Sequence, residues 1–287
     1  MRVLAVVSAK GGMGKTTLTA NLATALTRFN RPCVAVDADP QNALGLHFGM
    51  SPTEAFGLSA ANISGADFAR FLARAKPQAP YLPFGRPAAA ALRSFERAIG
   101  SDRQWLRKTL SGLLPDTTEW VLVDTPGGTG VWTHQALAAA DAVLGIFIPD
   151  FASFATLPRA LELFEACAPP GAPVWFLANK VDPQATLTRD VLAAMRSSLG
   201  ARMLPFTIAA DEGLREALGS RQPLVHTSSA SSVLATFEKL ARWLVTAPEP
   251  QAQRGADSEF AASQPLRAAN NHARTVRPGT AADQGVS

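Results

Sequence analysis

The feature that most restricts the fold lies in the first seventeen residues. An apolar, β-rich run at residues 3–7 leads into Ala9-Lys10-Gly11-Gly12-Met13-Gly14-Lys15-Thr16-Thr17. Beyond Lys15 the residues Leu18, Leu22, Ala25, Leu26 and Phe29 recur at helical spacing. A glycine-rich turn between a strand and the first turn of a helix is the context that a phosphate-binding loop needs. Gly11, Gly12 and Gly14 let the backbone N–H groups around Met13 turn inward on a phosphate, and the helix N-terminus adds its dipole. Lys15 supplies a point charge for the β- and γ-phosphates. The Thr16 hydroxyl is placed to coordinate Mg²⁺, with Thr17 nearby for the α-phosphate. Ala9 stands where the general pattern has its first glycine, and the next residue is a second lysine, Lys10.

Downstream, the patterns alternate. Strand signals fall at residues 33–36, 81–84, 120–123, 142–148, 174–178 and 203–206, and helical patterns at 102–114, 133–140, 157–167, 187–199 and 232–245. Alternation with short connections predicts an α/β fold, a mostly parallel twisted sheet with helices on both faces. With 287 residues, of which 47% are hydrophobic, the chain can bury a sizeable core. Residues 1–247 read as one nucleotide-binding domain. Residues 248–287 are rich in Ala, Gln, Pro, Arg and Gly, which predicts a disordered tail without an amphipathic membrane helix. The longest apolar run, 142–148, is too short to span a bilayer. Cys33 and Cys167 read as buried thiols of a reducing cytoplasm, and the four histidines lack zinc-site spacing. The net charge of +4 is uneven: residues 67–108 hold nine basic residues against three acidic ones.

Three further segments carry chemistry. Asp37 and Asp39 follow the second strand in Val36-Asp37-Ala38-Asp39-Pro40-Gln41. Trp120-Val121-Leu122-Val123-Asp124-Thr125-Pro126-Gly127-Gly128 is a hydrophobic strand that delivers Asp124 to the sheet edge, where it can hold Mg²⁺ through water. Glycines suited to a moving switch follow. Asn179-Lys180-Val181-Asp182 matches the guanine-reading NKxD pattern, which four letters meet easily by chance, so ATP and GTP both stay open on this segment alone.

Lys-Gly-Gly-Met-Gly-Lys-Thr-Thr at residues 10–17 resembles the deviant Walker A loop of the MinD/ParA family of P-loop ATPases, and the resemblance runs across residues 1–245. It implies an ATP- and Mg²⁺-dependent switch that dimerises around the nucleotide, with Lys10 reaching the partner's phosphates. Asp39 would orient the attacking water and support the Mg²⁺ shell, and Asp37 would have a supporting role. Asn179 would contact adenine, with Pro205 and Phe206 on a second base-side segment. Leu44-Gly45-Leu46-His47-Phe48-Gly49 and Leu82-Pro83-Phe84-Gly85 look like the markers of the cellulose biosynthesis group, BcsQ (YhjQ), within that family. Some of that group have lost the phosphate-loop lysine, and this chain keeps Lys15. The resemblance implies a cytoplasmic ATPase recruited to the inner membrane through cellulose synthase components and small operon-encoded proteins. The alternative is a ParA-like positioning ATPase whose basic segment, through Arg93, Arg97, Arg103 and Arg107, meets DNA phosphates. A GTPase of the same fold is a further alternative.

Overall fold

Parallel strands buried on both faces are near-continuous apolar runs, and the sheet is made of such runs. The computed structural model describes residues 1–51, 53–60, 64–75, 79–224 and 231–247. β1 (Arg2–Val7) is followed by the glycine-rich loop, α1 (Lys15–Arg28) and β2 (Cys33–Asp37). A 3₁₀ turn (Leu44–Phe48), α2 (Gly65–Ala75), β3 (Tyr81–Leu82), α3 (Ala89–Gly100) and α4 (Trp105–Leu113) come next. The chain continues through β4 (Trp120–Asp124), α5 (Val131–Ala139), β5 (Ala142–Phe147), α6 (Phe151–Cys167), β6 (Val174–Ala178), α7 (Thr186–Leu199), α8 (Glu212–Gly219) and α9 (Ser232–Thr246).

The six strands are all parallel, in the order β3-β2-β4-β1-β5-β6. From β1 the chain builds toward β2 and β3 on one side, returns to β4, then crosses to β5 and β6 on the other. The carboxyl end of β1 is therefore a point where the winding reverses, and ligands of open α/β sheets bind at such points. Residues 3–7, 120–123 and 142–147 are all buried. α1 packs on α9, β2 and β4, while α5 packs on β1, α3, α4 and α6.

Four expectations are corrected. Residues 203–206 do not form a strand. Met203 makes only an isolated parallel bridge to Phe176. Leu204 N–H donates to Phe176 O, but the next donor, to Ala178 O, is Ile208 rather than Phe206. Pro205 has no N–H to offer a ladder, and the chain loops out there. α6 begins at Phe151, six residues ahead of the expected start, because Asp150 caps it (its Oδ1 accepts from Ser153 N–H at 2.6 Å), and the helix runs through Pro158. Cys167 is only half-buried, whereas Cys33 is buried as expected.

The fourth concerns the basic segment as a DNA-facing surface: of its described cations, Arg70, Arg103, Arg107 and Lys108 are each tied to a partner within the chain. Arg103 donates to Ala166 O and Cys167 O at the carboxyl end of α6 (3.1 and 2.7 Å). Arg107 donates to Ala139 O at the end of α5 and to Asp141 (3.1 and 2.7 Å). Lys108 pairs with Asp102, and Arg70 with Asp67. These cations satisfy helix-end carbonyls and local acids. The expected tail, residues 248–287, lies outside the described residues.

Candidate nucleotide site

Strand register brings two of the three candidate carboxylates together. Asp37 and Asp124 are the last residues of β2 and β4 and are direct partners across that pair, while Val6 of β1 faces Asp124 from the other side. Both aspartates are wholly buried, yet they are held differently. Asp37 Oδ1 accepts from Asp39 N–H and its Oδ2 from Leu44 N–H, each at 2.9 Å, so it ties the following loop to the strand. Neither oxygen of Asp124 has a hydrogen-bond partner. Burial pushes both carboxyls up; for Asp124 the Thr16 hydroxyl, the Lys15 ammonium and the Thr125 N–H act in the opposite direction. The Thr16 hydroxyl is thus near enough to favour the carboxylate without making a bond of good geometry. Two buried acceptors without donors, beside a helix-N-terminal threonine, fit a hydrated Mg²⁺ held through one carboxylate and one hydroxyl.

The loop over these groups has the shape that its glycines permit. Gly12 (φ +76°) and Gly14 (φ +90°) are left-handed, and Gly14 caps α1. Lys15 is 6% exposed, and its ammonium donates to Ser8 Oγ at 2.8 Å. Ser8 Oγ in turn donates to Lys10 O at 2.6 Å. Burial lowers the Lys15 pKa, while Asp124 and Asp39 oppose that shift, so both carboxylates act on the same cation. Asp39 is half-buried at the rim, where its Oδ1 accepts from Gln41 N–H at 2.9 Å. The segment after Asp124 folds back on the loop. Thr125 Oγ1 donates to Val6 O (2.8 Å) and Gly128 N–H to Ser8 O (3.2 Å). A Cβ on Gly127 would stand 2.5 Å from Gly11 N, so only glycine lets the two backbones approach.

Lys10 points elsewhere. Its ammonium lies 3.6 Å from Asp150 Oδ1, with both side chains partly exposed. Although burial opposes it, the Ser153 backbone and hydroxyl together with Lys10 hold the Asp150 carboxyl below its usual range. Asn179 sits behind the loop, where its amide donates to Met13 O at 2.8 Å, and Lys180 donates to Gly12 O at 2.8 Å. Asp182 is exposed, and its Oδ1 accepts from Gln184 N–H. Pro205 is exposed and Phe206 half-buried in the loop beyond β6. The structure therefore gathers Lys15, Thr16, Asp39 and Asp124, backs the loop with Asn179, and sets Lys10 aside on Asp150. Sequence reasoning missed Ser8, Asp150 and Lys180 as supports. Only Asp150 carried a signal, an N-cap aspartate three residues before a serine.

The profile of the family described as cellulose biosynthesis protein BcsQ matches residues 1–245. The chain belongs to the BcsQ family. It is 28% identical to cellulose biosynthesis protein BcsQ of Escherichia coli K12 over 250 residues, covering 85% of this chain and 94% of the relative. It is 26% identical over 257 residues to the chromosome partitioning protein ParA of Caulobacter vibrioides, covering 86% and 94%. Among solved structures, the septum site-determining protein MinD of Pyrococcus horikoshii with Mg-ADP superposes with a TM-score of 0.62 at 24% identity, covering 85% of this chain and 96% of that one. BcsQ membership and the MinD/ParA fold agree with what the phosphate loop and the two marker tracts imply. Residues in or beside the two tracts meet in space. Asn42 Oδ1 accepts from Phe84 N–H, and Phe48 stacks on Tyr81 at 4.8 Å between centroids.

Proposed function

We propose that this chain is an ATP-binding and ATP-hydrolysing switch that dimerises around its nucleotide and serves the bacterial cellulose synthase secretion complex. The observation that carries the nucleotide half is the pair of partnerless, buried Asp124 oxygens beside Thr16, under a loop whose lysine is already buried. The cellulose half rests on membership of the BcsQ family.

Phosphoryl transfer asks for position and charge neutralisation more than for a strong base. Lys15 is preorganised by Ser8 and lies among Asp39 and Asp124, so a β,γ-phosphate can take over its charge without a rotamer search. The backbone N–H groups of residues 11–16 face the phosphates. Mg²⁺, held by Thr16 and Asp124 with Asp39 at the rim, would neutralise charge between the β- and γ-phosphates. Asp39, fixed by the Gln41 N–H, is the carboxylate placed to orient a water. Asn179 would meet the base, with Pro205 beside it. Lys10 would exchange Asp150 for the phosphates of a second subunit. We place the protein in the cytoplasm, reaching the inner membrane through components of the synthase and its small operon-encoded partners. The DNA-binding alternative called for Arg93, Arg97, Arg103 and Arg107 on one face, and Arg103 and Arg107 are occupied at helix ends.

With Asp39→Ala to slow turnover, ATP should convert monomer to dimer by light scattering, and adding Lys10→Ala should reverse this while ATP binding persists. Equal dimerisation with and without Lys10 refutes the switch. In a pull-down of operon-encoded proteins, the ATP-locked form should retain cellulose synthase components. Retention of duplex DNA in their place would favour the positioning ATPase.

A further inference from the structure

The marker tract at residues 44–49 is mostly core, but one side chain in it faces the nucleotide site. His47 is 3% exposed, and its Nε2 lies 3.5 Å from the Thr17 hydroxyl on the first turn of α1. We infer that His47 is a positioning residue for nucleotide binding: its neutral imidazole donates from Nε2 to Thr17 Oγ1, so that the Thr17 hydroxyl keeps its own proton for a phosphate oxygen. This rests on the nucleotide reading above and adds to it a residue outside the phosphate loop.

The geometry of the turn fixes His47. Asp37 Oδ2 holds Leu44 N–H and starts the 3₁₀ turn, and Gly49 at φ +76° ends it. Phe48 is stacked on Tyr81, and the α-carbon of Gly45 packs so closely on the Tyr81 hydroxyl that a Cβ there would stand 3.1 Å from it. His47 is left on the side that packs against α1. Thr17 is pinned from its other end as well. Asn21 Nδ2 donates to Thr17 O at 2.8 Å, and Asn21 Oδ1 accepts from Leu224 N–H at 2.7 Å. The backbone of Thr17 is therefore held by one buried side chain, and its hydroxyl lies within reach of another.

The direction of the hydroxyl bond matters chemically. A hydroxyl has one proton and two lone pairs. If Nε2 accepted that proton, Thr17 could offer a phosphate only lone pairs, which repel its anionic oxygens. If Nε2–H donates, the proton remains for the ligand. Burial pushes the imidazole pKa down to about 4, so the ring is neutral at physiological pH and brings no competing charge beside Lys15.

The test uses the full chain and measures ATP and ADP affinity by titration calorimetry, with steady-state turnover. His47→Leu should weaken both nucleotides by about three- to tenfold, the range of one net hydrogen bond, and should raise KM while leaving kcat within about twofold. His47→Gln, whose amide N–H reaches as far as Nε2, should restore affinity. His47→Asn, polar but too short, should behave as Leu. In a Thr17→Ala background, His47→Leu should cause no further loss, because the two residues act as one unit. An equal loss with or without the Thr17 hydroxyl, or a Gln variant as weak as Leu, overturns the inference while the nucleotide reading stands. A parent chain that does not bind ATP overturns both.

Discussion

If Lys10 is held by Asp150 in the free chain, removing that carboxylate should favour the dimer. Asp150→Asn is the informative change, since asparagine is as good a helix N-cap as aspartate and can still accept from Ser153 N–H. Only the charge facing Lys10 is lost. The pair is 3.6 Å apart with side chains 34% and 44% exposed, so solvent screening keeps its strength near 0.5 kcal/mol. A symmetric dimer that draws Lys10 onto the opposite subunit breaks the pair twice, so the variant should dimerise more tightly by about 1 kcal/mol, or roughly fivefold. The assay is sedimentation velocity across a concentration series with a slowly hydrolysed ATP analogue. Raising salt to about 0.5 M should shrink the difference, because both groups are reached by counterions. Asp150→Ala serves as the contrast. It also releases Lys10 but loses the cap and should lower stability by about 1 kcal/mol. An unchanged or weaker dimer in Asp150→Asn, with Lys10→Ala still defective, would show that Lys10 is not restrained in the free state and that the reasoning fails.

Two other outcomes follow from the buried acids and the base-side loop. Asp124→Asn should leave the thermal midpoint of the free protein unchanged or higher, because the native carboxyl pKa is raised and its contribution to stability falls as pH rises above the unfolded value toward neutrality; the variant should lose most of the stabilisation by Mg-ATP, and a lower midpoint without ligand would contradict this. Asp182→Ala should change ATP affinity by less than about twofold, since this exposed carboxylate makes only a local turn; competition experiments showing a strong GTP preference that depends on Asp182 would overturn the choice of base.

The sheet was legible because its strands are apolar on both faces, and β1, β2, β4, β5 and β6 fall within a residue or so of their expected bounds. The phosphate loop, Asp39 and Asp124 were legible for a different reason: their spacing from strand ends is set locally. What sequence could not supply was long-range. Lys10 meets Asp150 and Asn179 meets Met13 across well over a hundred residues, and no periodicity encodes such pairs. The basic segment misled in the same way. Nine cations in forty-two positions look like a surface, but Arg103 ends up on carbonyls of α6 some sixty residues away. α3 is absent from the expected helices, since Arg93, Glu96 and Arg97 make charge the more conspicuous pattern there, although Leu92, Phe95 and Ile99 carry its helical spacing. Those residues pack toward α5, where Trp132 meets Phe95 and Trp105 and donates to Glu96 at 2.9 Å.

The contrast between Asp37 and Asp124 shows how the fold separates structure from function. The two carboxylates end neighbouring strands in the same register and are equally buried, so desolvation penalises both. Asp37 offsets part of that cost through two backbone N–H groups, and in doing so it fixes the loop that bears Asp39 and the turn that bears His47. Asp124 is favoured by the Lys15 charge and by the nearby Thr16 hydroxyl and Thr125 N–H, yet neither of its oxygens gains a hydrogen bond of full geometry. A buried charge without hydrogen bonds costs several kcal/mol unless something outside the chain completes it. Of the described buried side-chain oxygens and nitrogens left without partners, the two on Asp124 are the only ones that belong to a carboxylate. They also sit at the reversal of strand winding, beside a helix N-terminus and a buried lysine. The other determinants agree with one another locally; here they do not, and in a sequence otherwise consistent across levels such a conflict marks the place where a ligand is missing from the balance. A cation with its own water shell, brought by a nucleotide, is the partner whose chemistry resolves it.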